Sequence, residues 1–238
     1  MGIVDDCVAR ILKKGHLSVG DRENGHGGLI MPPYFEEEID SMYPHPESVE
    51  HDGEEMLGHY EMMASPGKLV LHQEPLSSFF WHHARDIFRA GYYIEENDLK
   101  FMCHMVVLKT YTHEQFHHFC DVARHLFGGC YDRLPEEALA VTWSYIQLEE
   151  YRRQWNSKEA RLSAGIFREL LPKLFRYKAP GYRDWVNFRV RADFDAALIR
   201  YTGPMTSMRM EQNGIDMNAV LLSIFESTKT KGVVEEVC

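Results

Sequence analysis

No apolar run in the chain approaches the ~18 consecutive residues that a membrane-crossing helix needs. The segment Met1–Leu12 also lacks the charged, apolar and small-residue zones of a signal peptide. Basic charge is scarce: 26 Lys and Arg stand against 36 Asp and Glu, a formal net charge of −10. A phosphate-binding surface needs clustered cations, so nucleic acid is excluded as a partner on this balance. Cysteine is sparse as well. Cys7, Cys103, Cys120, Cys130 and Cys238 show no paired spacing, which fits free thiols in a reducing compartment. The expectation is a protein of the cytoplasm with no membrane and no nucleic-acid partner. Internal repeats and low-complexity linkers are missing too, so the 238 residues read as one large domain, or one domain with an appended segment.

Histidine, by contrast, is plentiful, with 13 in the chain. Two of them stand in Thr112-His113-Glu114-Gln115-Phe116-His117-His118-Phe119-Cys120-Asp121. The surrounding pattern predicts a helix over 98–127. Phe101, Met105, Leu108, Phe116, Phe119, Ala123 and Leu126 fall on one apolar stripe at helical spacing. Residues four apart share a face, so His113 and His117 can bind one metal ion together. Glu114 lies about 100° further round the axis. It therefore flanks the metal, where a carboxylate can serve a metal-activated water. Chance alone gives about 0.07 His-Glu-x-x-His motifs in a chain of this composition, so the context has to carry the assignment.

Around this helix the chain reads as mainly helical. Val4, Cys7, Val8, Ile11 and Leu12 mark a helix at 1–14 closed by Gly15, followed by an irregular Gly-rich stretch to Pro33 and a possible short helix at 35–42. Histidines 26, 45, 51 and 59 are scattered too widely to share close helical spacing, which argues against a second metal site. Lys68–His72 reads as a strand, and Pro75 starts a helix ended by Gly91. Asn97 or Asp98 can cap the motif helix, and Gly128-Gly129 close it. A further helix opens at Asp132 and runs to about Trp155. Ser157 can cap the next, through Arg176, with Pro172 bending or ending it. Tyr182–Tyr201 reads as one helix closed by Gly203, Asn213-Gly214 as a hairpin turn, and Val233–Cys238 as a loose tail.

A catalytic zinc takes three protein ligands and leaves one position open, and two His with one Glu is a known set. Glu137, 20 positions after His117 (137 minus 117), heads the helix after the motif and can be the third ligand. Glu136, its neighbour, competes for that role.

His-Glu-x-x-His-x-x-x-Asp at 113–121, a short glycine-closed gap, and Glu-Glu-Ala-x-Ala at 136–140 together resemble the Glu-zincin metallopeptidases, the thermolysin-like group. The strand at Lys68–His72 resembles the edge strand beside their active helix. Pro180-Gly181-Tyr182-Arg183-Asp184-Trp185 resembles a downstream motif of small bacterial zincin-like proteins. The likeness spans about 66–182. It implies an α+β, mainly helical fold: a zincin-like core with an active-site helix and an edge strand, plus a C-terminal helical part. The zincin-like domain would occupy 66–238, with 1–65 as an N-terminal extension. It implies Zn2+ held by His113, His117 and Glu137, with Glu114 as the base, and a peptide or protein substrate. Tyr182, Arg183 and Tyr201 are candidate oxyanion donors, with Tyr182 favoured for its place in a loop that could fold over the site. One departure stands out. Where such proteins often carry Asp or Asn four residues after the ligand Glu, this chain has Val141, so support for a ligand His must come from elsewhere, with Asp121 the nearest choice.

The function expected is a zinc-dependent hydrolase, a metallopeptidase. The alternative is a zinc-binding regulatory or interaction module with the same fold and no turnover. A di-metal carboxylate bundle would need a second Glu-x-x-His, which the plausible helices lack. An interaction protein with an incidental motif is the remaining class. Oligomeric state is not written in the sequence.

Overall fold

The computed structural model describes residues 2–14, 57–61, 67–92, 94, 96–127, 131–156, 164–210, 223 and 233–238. The expectations for 15–56, for Gly128-Gly129, for Ser157 and for Asn213-Gly214 lie outside these residues. The architecture is mainly helical with a small sheet. In chain order come α1 (Ile3–Lys14), β1 (Gly58–Glu61), β2 (Gly67–Leu71), α2 (Gln73–Arg89), α3 (Glu96–Phe127), α4 (Arg133–Asn156) and α5 (Ala164–Leu174). A 3-10 turn (Tyr182–Phe188), α6 (Arg191–Met210) and β3 (Val233–Val237) follow. Among the described residues no helix is long and apolar enough to cross a membrane.

Helix α3 is the axis of the fold. It begins at Glu96, so Asn97 and Asp98 sit in its first turn instead of capping it, and the acids there, Glu96 and Asp98, suit the positive end of the helix dipole. The sequence reading gave it one apolar stripe. In the structure it is buried on nearly every side through its middle. Phe101, Met102, Met105, Val106 and Val107 pack into the main core with α1 and α2, while Phe116, Phe119 and Cys120 join a second core with α4 and α6. Leu126, at the end of the expected stripe, is 54% exposed, because the last turn runs past the body that covers the rest.

Segments before residue 66 take part in the same body. Cys7, Val8 and Ile11 of α1 are buried in the main core. β1 pairs antiparallel with β2, Gly58 opposite Leu71. Gly58 lets the strand lie against α3, since a Cβ there would stand 2.9 Å from Thr110 Cγ2 and from the carbonyl oxygen of Val70.

Four expectations are corrected. The strand at 68–71 is not an edge: the order is β1-β2-β3, and β2 is the middle strand. Its side chains fit that place, with Leu69, Val70 and Leu71 all buried. His72 follows the strand at the start of α2. The supposed loose tail at 233–237 is β3, parallel to β2, with Gly67 opposite Val233 and Leu71 opposite Val237. Tyr111 Oη donates to Glu235 at 2.7 Å and Lys68 pairs with Glu236 at 2.6 Å, tying the strand to α3 and β2. The stretch 182–201 is not one helix. Thr142 Oγ1 donates to the Trp185 carbonyl at 3.2 Å, taking that acceptor out of a helical ladder, and Trp185 packs between Tyr145 and Phe175. Gly203 does not close α6, which runs on to Met210; Gly costs about 1 kcal/mol within a helix but ends one only where the backbone turns left-handed.

Candidate metal centre and its cleft

His113 and His117 face the same way from consecutive turns of α3, and the N-terminal part of α4 brings Glu137 opposite them. His113 Nε2 and His117 Nε2 are 3.2 Å apart. Glu137 Oε2 lies 3.2 Å from the first and 3.3 Å from the second. A tetrahedral ion with ligands at about 2.0–2.1 Å holds those ligands about 3.3–3.4 Å apart. The three donors therefore form a near-regular triangle of the size that such an ion requires. Glu137 Oε2 is buried yet has no hydrogen-bond partner among the described residues, although two ring nitrogens approach it. Three donor atoms this close together, one of them a buried carboxylate oxygen without a hydrogen bond, fit a metal ion. They are the one group of three or more such side chains found among the described residues.

The carboxylate beside Glu137 has a different task. His117 Nδ1 is 2.9 Å from Glu136 Oε1, and since a carboxylate only accepts, Nδ1 carries the proton. That leaves Nε2 of His117 with its lone pair toward the triangle. Glu136 is fully buried, and its other oxygen receives Arg124 Nη1 at 2.5 Å and the hydroxyl of Tyr201. Asp121, expected to support a ligand His, accepts from Tyr60 Oη at 2.9 Å, and the carboxylate bonded to His117 Nδ1 is that of Glu136. Val141 is packed in the main core. Glu136 thus supplies the support that the departure at Val141 removes. The sequence offered Glu136 only as a rival ligand, because the helical repeat turns two adjacent residues apart but does not say which of them meets the metal.

Without an ion the site is strongly coupled. Burial opposes charge on His117, but its hydrogen bond to Glu136 and the nearby Glu137 carboxylate outweigh it and push its pKa up to about 10. Burial likewise opposes charge on Glu137, and the ring nitrogens of His113 and His117 at 3.2 and 3.3 Å overcome it, holding the carboxyl well below its usual range. A proton on His117 and a cation among the three donors are alternative ways of neutralising the same carboxylates.

The triangle opens into a cleft of about 350 Å3 lined by His59, Tyr60, His113, Glu114, His117, Tyr131, Arg133, Glu136, Glu137 and Tyr182. Glu114 is buried and borders it one residue on from His113. Of the three oxyanion candidates, only Tyr182 lines the cleft. Its ring stacks on His113 with centroids 5.9 Å apart and planes 13° from parallel. That contact fixes the plane of a ring whose buried Nδ1 has no hydrogen-bond partner among the described residues. Tyr201 is engaged with Glu136, and Arg183 is an exposed side chain beside Asp184. His59 and Tyr60 come from β1, which the sequence reading did not find, since four residues carry too little periodicity to read. Tyr60 also needs Gly67 across the sheet, where any Cβ would collide with the phenol ring.

Apart from this centre, His59 Nδ1 and His72 Nε2 meet at 2.9 Å. Of the adjacent pair at 82 and 83, His83 is the packed one: burial, chiefly, lowers its pKa to about 3. His82 bonds Arg85 at 3.0 Å.

No family model matches the chain, and no curated protein or solved structure matches it either.

Proposed function

We propose that the chain is a zinc-dependent hydrolase, a metallopeptidase of zincin type acting on peptide or protein substrates in the cytoplasm. The observation that carries this reading is the triangle of His113 Nε2, His117 Nε2 and Glu137 Oε2, with edges of 3.2–3.3 Å. Two imidazoles and one carboxylate are a donor set that zinc takes in hydrolases with an open coordination position. Bound zinc supplies a Lewis acid that acidifies water and polarises a carbonyl.

The remaining work falls to side chains of this chain. Glu114, on the cleft wall beside the ligands, takes the proton of the attacking water and returns it to the leaving amine. Tyr182, held against His113, turns its hydroxyl to the developing oxyanion; loss of one such donor typically costs on the order of 10²–10³ in rate.

The test separates metal from chemistry. Protein purified without a His tag should carry about one zinc per chain, and much less in His113→Ala and His117→Ala. Glu114→Gln should keep zinc and fold while losing hydrolysis, because an amide cannot accept the proton. The assay reads new amino termini in peptide libraries and in lysate. Termini made by wild type, abolished by chelator and missing with Glu114→Gln support the peptidase. Equal termini from the two zinc-loaded proteins point instead to a zinc-binding module without turnover. A wild type that takes up no zinc at neutral pH would falsify the whole assignment.

A further inference from the structure

We infer that Glu136 is the positioning residue of the metal centre, and that helix α6, through Tyr201, helps set how tightly the centre holds its ion. The inference rests on the proposed metal site. It concerns residues that hold no metal themselves.

Three side chains from two helices converge on the Glu136 carboxylate of a third. Glu136 comes from α4, His117 and Arg124 from α3, and Tyr201 from α6. The carboxylate is fully buried, and both its oxygens are used: Oε1 by His117 Nδ1 at 2.9 Å, Oε2 by Arg124 at 2.5 Å and by Tyr201. A buried carboxylate left short of donors is costly, so each of these donors holds Glu136 in the one orientation that meets His117. That contact does two things for the metal. It keeps the proton on Nδ1, so Nε2 is free to coordinate, and it fixes the rotation of the ring.

α6 reaches this point over an apolar bed. Phe194, Ala197 and Leu198 pack with Phe116, Phe119 and Trp143, and Tyr201 lies one turn beyond. Docking of α6 therefore carries a hydroxyl to the back of the metal centre. Linkage is reciprocal: if Tyr201 tightens metal binding, then metal binding tightens the docking of α6 by the same factor. The signal passes through two hydrogen bonds, Tyr201 to Glu136 and His117 to Glu136.

The experiment measures zinc affinity of the full chain by competition with a chromogenic chelator, alongside the melting temperature. Glu136→Gln and Tyr201→Phe should each weaken zinc, the former by about 10–100-fold as for other residues supporting a metal ligand. Ile11→Ala, in the α1 part of the main core and away from α6, should lower the melting temperature and leave zinc affinity unchanged. That contrast separates positioning from packing. If folded Glu136→Gln and Tyr201→Phe bind zinc as wild type does, the inference fails while the metal site stands. Should neither variant fold, amide exchange of wild type decides. Zinc should slow exchange in residues 191–202 more than in residues 3–14, and an equal effect overturns the coupling. No zinc uptake by wild type sinks both this inference and the function it rests on.

Discussion

At Gly181 the backbone turns with φ of 85°, and a Cβ there would lie 3.0 Å from the Leu134 carbonyl oxygen. Its N–H donates to Asp184 at 3.3 Å, closing a small loop that delivers Tyr182 to His113. The run Pro180–Trp185 thus has a physical reason: Gly for the turn and close approach, Asp to hold it, Tyr for the cleft, Trp for the core. Gly181→Ala should cost at least about 1–2 kcal/mol from the left-handed backbone alone. For a chain of this size that lowers the melting temperature by roughly 2–8 °C, and on the proposed function it should also weaken hydrolysis by moving Tyr182. His83 gives a second residue-scale prediction. It is packed edge-on to Phe79 and faced by His82, Asp86, Lys109 and Lys173, and its pKa falls from 6.5 to about 3, chiefly through burial. The unfolded chain then binds a proton that the folded chain refuses, so stability falls as pH drops through this window. The contribution is about 1.4 kcal/mol per pH unit and is absent above the unfolded value. Denaturant titrations between pH 7 and 4 should show a shallower loss for His83→Phe than for wild type.

At the scale of elements, α3 and β3 sit at opposite ends of legibility. The motif helix could be read because thirty-odd residues repeat their apolar period many times, and its observed span, Glu96–Phe127, differs from the expectation by two residues at one end. What the period could not give was burial on both sides, which depends on α6 and α4 covering the half that holds Phe116 and Phe119. Phe116→Asp should therefore abolish cooperative folding, since an unpaired charge in a closed core costs several kcal/mol. A melting curve like that of wild type would mean the helix packs by another face. β3 was not legible, because Val-Val-Glu-Glu-Val at a chain end has neither length nor clean alternation. It becomes a strand through its partner: Cys238 N donates to the Leu71 carbonyl at 2.9 Å, and Gln73 N donates to the Cys238 carbonyl at 2.7 Å. Removing 233–238 strips β2 of that partner and should lower the melting temperature and raise amide exchange at Leu69–Leu71. Unchanged exchange there would show that β2 does not depend on it.

For the whole molecule, an ion in the proposed site would clamp α3 to α4, so zinc should stabilise the fold through mass action. Free zinc at about 1,000 times its dissociation constant adds about 4 kcal/mol. That corresponds to a rise in melting temperature of roughly 8–16 °C for a chain of this length. His113→Ala should lose most of the rise and Ile11→Ala, in the α1 part of the main core, should keep it. Calorimetry or thermal fluorescence with and without chelator reads this directly, and a wild type whose melting ignores zinc would contradict the clamp.

The sequence by itself determined what local periodicity and residue chemistry can carry. It gave the helical character, the span of α3, the start of α4, and the trio His113, His117 and Glu137 as residues able to converge. It did so because the helical repeat puts positions four apart on one face, and because Pro and acids mark a helix start wherever they occur. Only the tertiary structure decided the rest. Which of two adjacent glutamates meets the ring nitrogens depends on how α4 is rolled against α3. That roll points Glu137 at the Nε2 atoms and Glu136 at Nδ1 of His117. The order of the sheet depends on a strand arriving from the far end of the chain, and the partner of Asp121 on Tyr60 arriving from β1. These are contacts between segments far apart in sequence, and no local pattern encodes them, because each is fixed by how distant elements pack on one another.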